Sequence, residues 1–193
     1  MRKFVYLISP KKISSNFYND LHKVLAAKNV KFFQLRLKKI KVKETIQIVK
    51  KIRKILKKYS VKLIINDNPY IAKITNADGC HLGQKDGSIL NAKKYLKRQI
   101  VGVTCHNSKS FAKIAIKNKA DYLAFGSFNK SKLKPMAKKA NINILKWAKR
   151  NIKKPIVAIG GIKGSNYKKF IKFGAKYIAI SSYIWDNPKL KPE

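Results

Sequence analysis

Two acids stand out because the chain has so few. Against 46 Lys and Arg there are only eight Asp and Glu, a formal net charge of +38. Asp67 follows the apolar run from Val61 to Ile65, and Asp86 follows Cys80 to Leu82. If those runs are neighbouring parallel strands, both carboxylates emerge on one rim. Two carboxylates with space between them suit a hard cation, and Mg²⁺ takes one or two carboxylates together with substrate phosphates. The alternative for each acid is a cap on the helix after its strand.

Gln34, Arg36 and Lys38 alternate with Leu35 and Leu37, so on a strand they share one face, a cationic row suited to a pyrophosphate. The alternative is polar filling of a protein interior, which is costly for cations without an anion. Asn66 stands beside Asp67, Gln84 near Asp86, and Thr104 and His106 at the end of the run beginning at Ile100. Gly160-Gly161 lets backbone N–H groups approach a phosphate, a helix starting near Ser165 points its positive end the same way, and Ser181-Ser182 either completes that cup or caps a helix. His106 is read as an acid/base or a hydrogen-bond holder. Adjacency to Cys105 does not make the two a dyad, and His81, pointing into the fold or toward a helix, is assigned no role.

The elements that must position these residues alternate along the chain. Phe4 to Ile8, Lys31 to Leu37, Val61 to Ile65, Gly79 to Leu82, Ile100 to Thr104, Asp121 to Phe125, Pro155 to Ile159 and Tyr177 to Ile180 read as strands. Between them lie helical patterns, the first capped by Ser14-Ser15, others over Lys43 to Tyr59, Pro69 to Thr75 and Ile89 to Leu96, another capped by Ser108, then Ile142 to Arg150 and Tyr167 to Phe173. A stub ending at Pro188 follows the last strand, and Gly126 to Ala140 is the one long irregular segment. Ala77-Asp78-Gly79, Ala120-Asp121-Tyr122 and Ala175-Lys176-Tyr177 echo one another before an apolar run. Eight strand–helix units imply an α/β fold, a compact (β/α)₈ TIM barrel forming one domain over residues 1–193, with an open doubly wound sheet as the alternative. In such a barrel the unusual residues fall at the C-terminal strand ends, where active sites lie.

Composition narrows the function classes. No apolar run reaches the ~18 residues of a membrane span, and Met1-Arg2-Lys3 leads straight into a strand, so a cytoplasmic protein with reduced Cys80 and Cys105 is expected. The positive charge is nearly all Lys spread around every helix, with only five Arg, at 2, 36, 53, 98 and 150. That pattern predicts weak non-specific adhesion to polyanions rather than a specific nucleic-acid partner.

Taken together these residues resemble the thiamine-phosphate synthase family. The resemblance runs through Tyr6-Leu7-Ile8, Gln34-Leu35-Arg36-Leu37-Lys38, Leu63-Ile64-Ile65-Asn66-Asp67, Asp78 to Asp86, Gly102 to His106 and Ala158 to Ile162. It implies that Gln34, Arg36, Lys38, Asn66 and Thr104 hold a hydroxymethylpyrimidine diphosphate, that Asp67 and Asp86 hold Mg²⁺, and that Gly161, Ser181 and Ser182 hold a thiazole phosphate. It implies further that Arg36, Lys38 and Lys134 stabilise a departing pyrophosphate. The partners it implies are these two small molecules, with no membrane, and with homo-oligomerisation left open. The chain departs from the family in the loop after the sixth strand, where Pro-Thr-x-Thr-Lys is replaced by Lys130-Ser131-Lys132-Leu133-Lys134. Ser131 keeps a hydroxyl for substrate and Lys134 the amine, whereas Leu133 loses a contact and Leu37 stands in place of a Glu. Two alternatives follow: a thiazole tautomerase with His106 as proton shuttle and no use for the acid pair, and a catalytically inactive anion-binding barrel.

Overall fold

The computed structural model describes residues 4–38, 40–129 and 139–186. The strands are β1 (Val5–Ile8), β2 (Val30–Leu35), β3 (Lys62–Asn66), β4 (Gly79–Leu82), β5 (Ile100–His106), β6 (Tyr122–Phe125), β7 (Ile156–Ile159) and β8 (Tyr177–Ile180). Each is followed by a helix: α1 (Phe17–Ala26), α2 (Val42–Lys58), α3 (Pro69–Ile74), α4 (Ile89–Leu96), α5 (Lys109–Lys117), α6 (Asn143–Asn151), α7 (Tyr167–Lys172) and α8 (Ser182–Trp185). The strands pair in parallel in chain order and β8 returns to β1, so the sheet closes and the open-sheet alternative falls. No helix among the described residues is long and apolar enough to cross a membrane.

Successive side chains of a strand point to opposite faces, and that period divides each strand between two cores. Leu7, Phe33, Leu35, Leu63, Ile65, Cys80 and Leu82 face outward and meet Leu21 of α1 and Val49, Ile52 and Leu56 of α2. Cys105, Leu123, Phe125 and Ala158 do the same against Ala112, Leu145 and Phe170 of α5, α6 and α7. Val49, Ile52 and Leu56 recur at the spacing that puts one helical stripe against the sheet, leaving the lysines of α2 outside. Truncating a residue as fully buried as Ile52 to Ala would cost about 2–5 kcal/mol.

The inward residues Tyr6, Phe32, Ile64, Tyr122, Val157 and Tyr177 fill the barrel. Rings dominate this layer, with Phe32 5.2 Å from Tyr177 and 6.0 Å from Tyr122 between centroids. Gly102 makes the layer possible, because a Cβ there would stand 1.8 Å from Cζ of Tyr122. The barrel is therefore plugged by aromatic side chains, and a cavity opens above them, toward the C-terminal strand ends.

Some boundaries depart from the sequence expectations. Ser14 and Ser15 do not cap α1 with their side chains; the helix begins at Phe17, whose N–H donates to the Ser14 carbonyl oxygen at 3.2 Å. β2 ends at Leu35, so Arg36 and Lys38 lie in the following loop and not on a strand face with Gln34. The Ala-Asp echo also finds a structural explanation. Asp78 Oδ2 accepts the Leu63 N–H and Asp121 Oδ2 the Val101 N–H, each at 2.8 Å, so each acid satisfies a donor on the preceding neighbouring strand. Asp121 also receives Lys93 Nζ at 2.8 Å.

Candidate active site

A cavity of about 410 Å³ opens at the C-terminal strand ends. It brings together Gln34, Arg36, Lys38, Asn66, Asp67, Gln84, Asp86, Thr104, His106, Gly160, Gly161, Ser181 and Ser182. Residues from β2 through β8 thus converge although they span most of the sequence. Ser131, Leu133 and Lys134 lie outside the described residues.

The inner wall is divided by chemistry. Inward positions at the tops of β2, β3 and β5 are Gln34, Asn66 and Thr104, all polar, while Ile8, Ile159 and Ala179 at the tops of β1, β7 and β8 are apolar. Gln34 is buried and donates from Nε2 to Asn66 Oδ1 at 3.2 Å. The Gln84 amide donates to the Thr104 carbonyl oxygen, bridging the loop after β4 to β5. One wall can take hydrogen bonds from a substrate and the other can take the flat face of a ring.

The helix-cap alternative for the two acids is not what forms. Asn68 caps α3, its Oδ1 accepting the Ile71 N–H at 2.9 Å, and Ser88 caps α4 by accepting from Asn91. Asp67, one residue before the cap, adopts φ 63, and its backbone N–H donates to the His81 carbonyl oxygen at 2.8 Å. A left-handed conformation at a residue other than glycine costs on the order of 1–2 kcal/mol, which this bond to the neighbouring strand β4 offsets. Asp86 Oδ2 accepts the Gly83 N–H at 2.7 Å, closing its own turn. Both carboxyl groups are thereby freed from helix capping and held at one side of the cavity.

The neighbouring acid acts on Asp67. Burial, followed by the hydrogen bond and the charge of Asp86, raises the Asp67 carboxyl to about 6, with Lys38 and Arg36 opposing the rise. Burial and these two acids also push the Cys80 thiol behind them up to about 12, which leaves it a packed, unreactive side chain. Cys105 is likewise buried, its thiol raised to about 12 by burial, and it faces the helix layer while His106 turns to the cavity mouth. A register shift between Thr104 and His106 and a φ of 53 at His106 separate the two side chains, as a dyad could not tolerate.

The loops after β7 and β8, where a phosphate is expected, form another wall of the cavity. Gly160 has φ 107, and a Cβ there would meet Ser127 Oγ at 2.0 Å, so only glycine lets this loop pass the loop after β6. The helix expected near Ser165 begins later, at Tyr167, because Asn166 Oδ1 first closes the loop by accepting the Lys163 N–H at 2.9 Å. Ser181 donates its hydroxyl to the Ser9 carbonyl oxygen at 3.1 Å, and Trp185 Nε1 donates to Ile8, tying β8 to β1. The Ser181 O–H is therefore engaged within the fold, and the adjacent Ser182 lines the same cavity.

Sequence reading passed over several residues of the cavity. Lys85 and Tyr183 line it, as does His81, which was given no role. The period-2 rule could have placed His81 inward, because Cys80 and Leu82 on either side of it face the helices.

Hard-oxygen donors, two half-buried carboxylates sharing one pocket, fit Mg²⁺. Among the described residues no group of three or more His, Cys, Asp or Glu gathers into an all-protein cage. Oxygens of water and substrate would have to complete the coordination, as they usually do for this ion.

Comparison with known proteins agrees with this geometry. The family model described as thiamine monophosphate synthase matches residues 5–184. A thiamine-phosphate synthase from Pelagibacter ubique is 56% identical over 192 residues, covering 99% of this chain and 93% of that protein. One from Erythrobacter litoralis is 37% identical, covering 94% and 87%. Among solved structures, the thiamine phosphate pyrophosphorylase of Pyrococcus furiosus superposes with a TM-score of 0.87 at 26% identity, covering 98% of this chain and 90% of that one. The tautomerase and inactive-barrel alternatives draw no support from these matches. With a family model matched over residues 5–184 and a relative 56% identical over nearly its whole length, the chain belongs to the thiamine-phosphate synthase family.

Proposed function

We propose that this transferase joins a hydroxymethylpyrimidine diphosphate to a thiazole phosphate, releasing pyrophosphate and forming thiamine phosphate, and that Asp67 and Asp86 hold the Mg²⁺ the reaction uses. The observation that carries the reading is the acid pair facing Arg36 and Lys38 across one cavity, since those two cations already oppose the rise in the Asp67 carboxyl. Bound there, Mg²⁺ supplies positive charge against a diphosphate. Arg36 and Lys38, with Lys134 from outside the described residues, add cationic donors to the same leaving group.

The residues present suit a reaction without a protein nucleophile. The carbon–oxygen bond to the diphosphate breaks with both electrons leaving on oxygen, and the thiazole nitrogen forms the new carbon–nitrogen bond with its own pair. Gln34, Asn66 and Thr104 orient the pyrimidine diphosphate along the polar wall. Ile8, Ile159 and Ala179 cover the opposite face and keep water from the electron-poor carbon. Gly161 and Ser182 receive the thiazole phosphate, with Ser181 held beside them by its bond to the Ser9 carbonyl oxygen; Ser131 falls outside the described residues. The deciding experiment supplies purified protein with both substrates and Mg²⁺ and measures thiamine phosphate and pyrophosphate. Equimolar release of the two supports the reading; pyrophosphate released without coupled product refutes it.

A further inference from the structure

Beneath the cavity floor four side chains are joined in series. Tyr6 Oη lies 2.7 Å from Tyr122 Oη, Tyr122 Oη 2.9 Å from His81 Nδ1, and His81 Nε2 2.8 Å from Thr104 Oγ1. They come from β1, β6, β4 and β5, and the first three are buried. The His81 ring also stacks on Tyr122, with centroids 5.6 Å apart, which fixes its plane. At the other end Thr104, half-buried, opens onto the cavity, and His81 lines the cavity beneath it.

The hydrogens of this chain can be placed by counting donors. Burial raises both phenols well above their usual range, so each keeps its proton. The hydroxyl of Tyr6 makes its only hydrogen bond among the described residues with Tyr122. If Tyr122 donated to Tyr6, the Tyr6 proton would have no acceptor, at the full cost of an unsatisfied buried donor. Tyr6 must therefore donate to Tyr122, and Tyr122 must donate to Nδ1 of His81. That bare Nδ1 leaves the ring proton on Nε2, where it donates to Thr104 Oγ1. The threonine oxygen is now an acceptor within the fold, and its own proton has only the cavity to point into.

We propose that Tyr122 and His81 act as positioning residues, a one-way relay that holds His81 as the Nε2–H tautomer and thereby turns the Thr104 hydroxyl proton onto the bound substrate. Threonine alone would offer a substrate either a proton or a lone pair; the relay makes it a donor, as an anionic or electron-rich group requires. The identity of that substrate rests on the reading above, namely the pyrimidine diphosphate, but the tautomer does not.

The test has two arms. In ¹⁵N-histidine NMR of the whole protein at neutral pH, with the His81 signal identified by its loss in His81→Gln, the ring is expected neutral with its proton on Nε2. A proton on Nδ1, or a doubly protonated ring, overturns the proposal whatever the enzyme catalyses. In Tyr122→Phe that preference is expected to weaken, and kcat/KM for the pyrimidine diphosphate to fall roughly tenfold with KM for the thiazole phosphate unchanged. Tyr6→Phe removes a hydroxyl from the same aromatic layer but leaves the direction of the relay intact, so tautomer and activity should stay within about twofold of wild type. Thr104→Ser should retain activity and Thr104→Val should lose it. His81→Gln, which can present an amide N–H near the Nε2 position, should lose less than His81→Asn, which cannot reach Thr104. A full-activity Tyr122→Phe or Thr104→Val enzyme with the wild-type tautomer would sink the relay as a positioning device.

Discussion

Asp67 stands within hydrogen-bonding reach of Asp86, and burial together with that neighbour raises the Asp67 carboxyl to about 6. The sign of the consequence is fixed. An acid whose folded pKa exceeds its unfolded value binds more protons when folded, so between about 4 and 6 stability falls as pH rises. Above 6 two negative charges face each other. Mg²⁺ should therefore raise the melting temperature clearly at pH 7.5 and little at pH 5, where Asp67 carries a proton. An equal thermal shift at both pH values, or none at pH 7.5, would mean that the pair does not hold the ion.

Removing one charge from this pair isolates its catalytic share. Asp86→Asn keeps the side chain's size and its capacity to accept the Gly83 N–H, so the fold should persist while Mg²⁺-dependent product formation drops by a hundredfold or more, about 2.7 kcal/mol. His106→Asn should be milder, because His106 sits at the exposed mouth. A reversed order, with His106 indispensable and Asp86 silent, would indicate proton-shuttle chemistry instead.

The basic character of the chain can be separated into site and surface. Arg36 faces the acid pair in the cavity, whereas Lys54 is exposed on α2. Arg36→Ala should lose at least ~2 kcal/mol of transition-state stabilisation, the scale of one charge-assisted contact to developing negative charge. Lys54→Ala should change kcat/KM by less than twofold. Steady-state kinetics on both variants, with melting curves as a fold control, give the comparison.

How far the sequence revealed this site depends on what each residue's signal was. The barrel was legible because eight apolar runs at short spacing force strand–helix alternation, and the observed strands lie within a few residues of those runs. Asp67 and Asp86 were legible because acids are scarce here, but Asp78 and Asp121 share that scarcity and serve backbone N–H groups of neighbouring strands. Only pairing across strands tells the two kinds apart, and a linear pattern does not carry it. The end of β2 at Leu35 was misread because Gln34, Arg36 and Lys38 keep period 2 beyond the last ladder bond. His81 was passed over for a related reason: its partners Tyr122 and Thr104 are distant in sequence and meet only when the barrel closes.

Gly102 tests whether the aromatic plug supports the site as well as the fold. A methyl group at this position would sit 1.8 Å from Tyr122 Cζ, and Tyr122 is fully buried against Tyr6 and Phe32, so the ring has nowhere nearby to go. Overpacking of this kind costs about 1–3 kcal/mol. Gly102→Ala should lower the unfolding free energy from urea titration by that amount, through a lower midpoint with little change in slope. It should also lower activity in the fraction that remains folded, because a displaced Tyr122 loses its 2.9 Å contact with His81. Pairing the change with Tyr122→Leu should restore stability by opening the space, yet leave activity low. Recovery of both together would show that Tyr122 matters only as filler, and that its hydroxyl contributes nothing to the site above it.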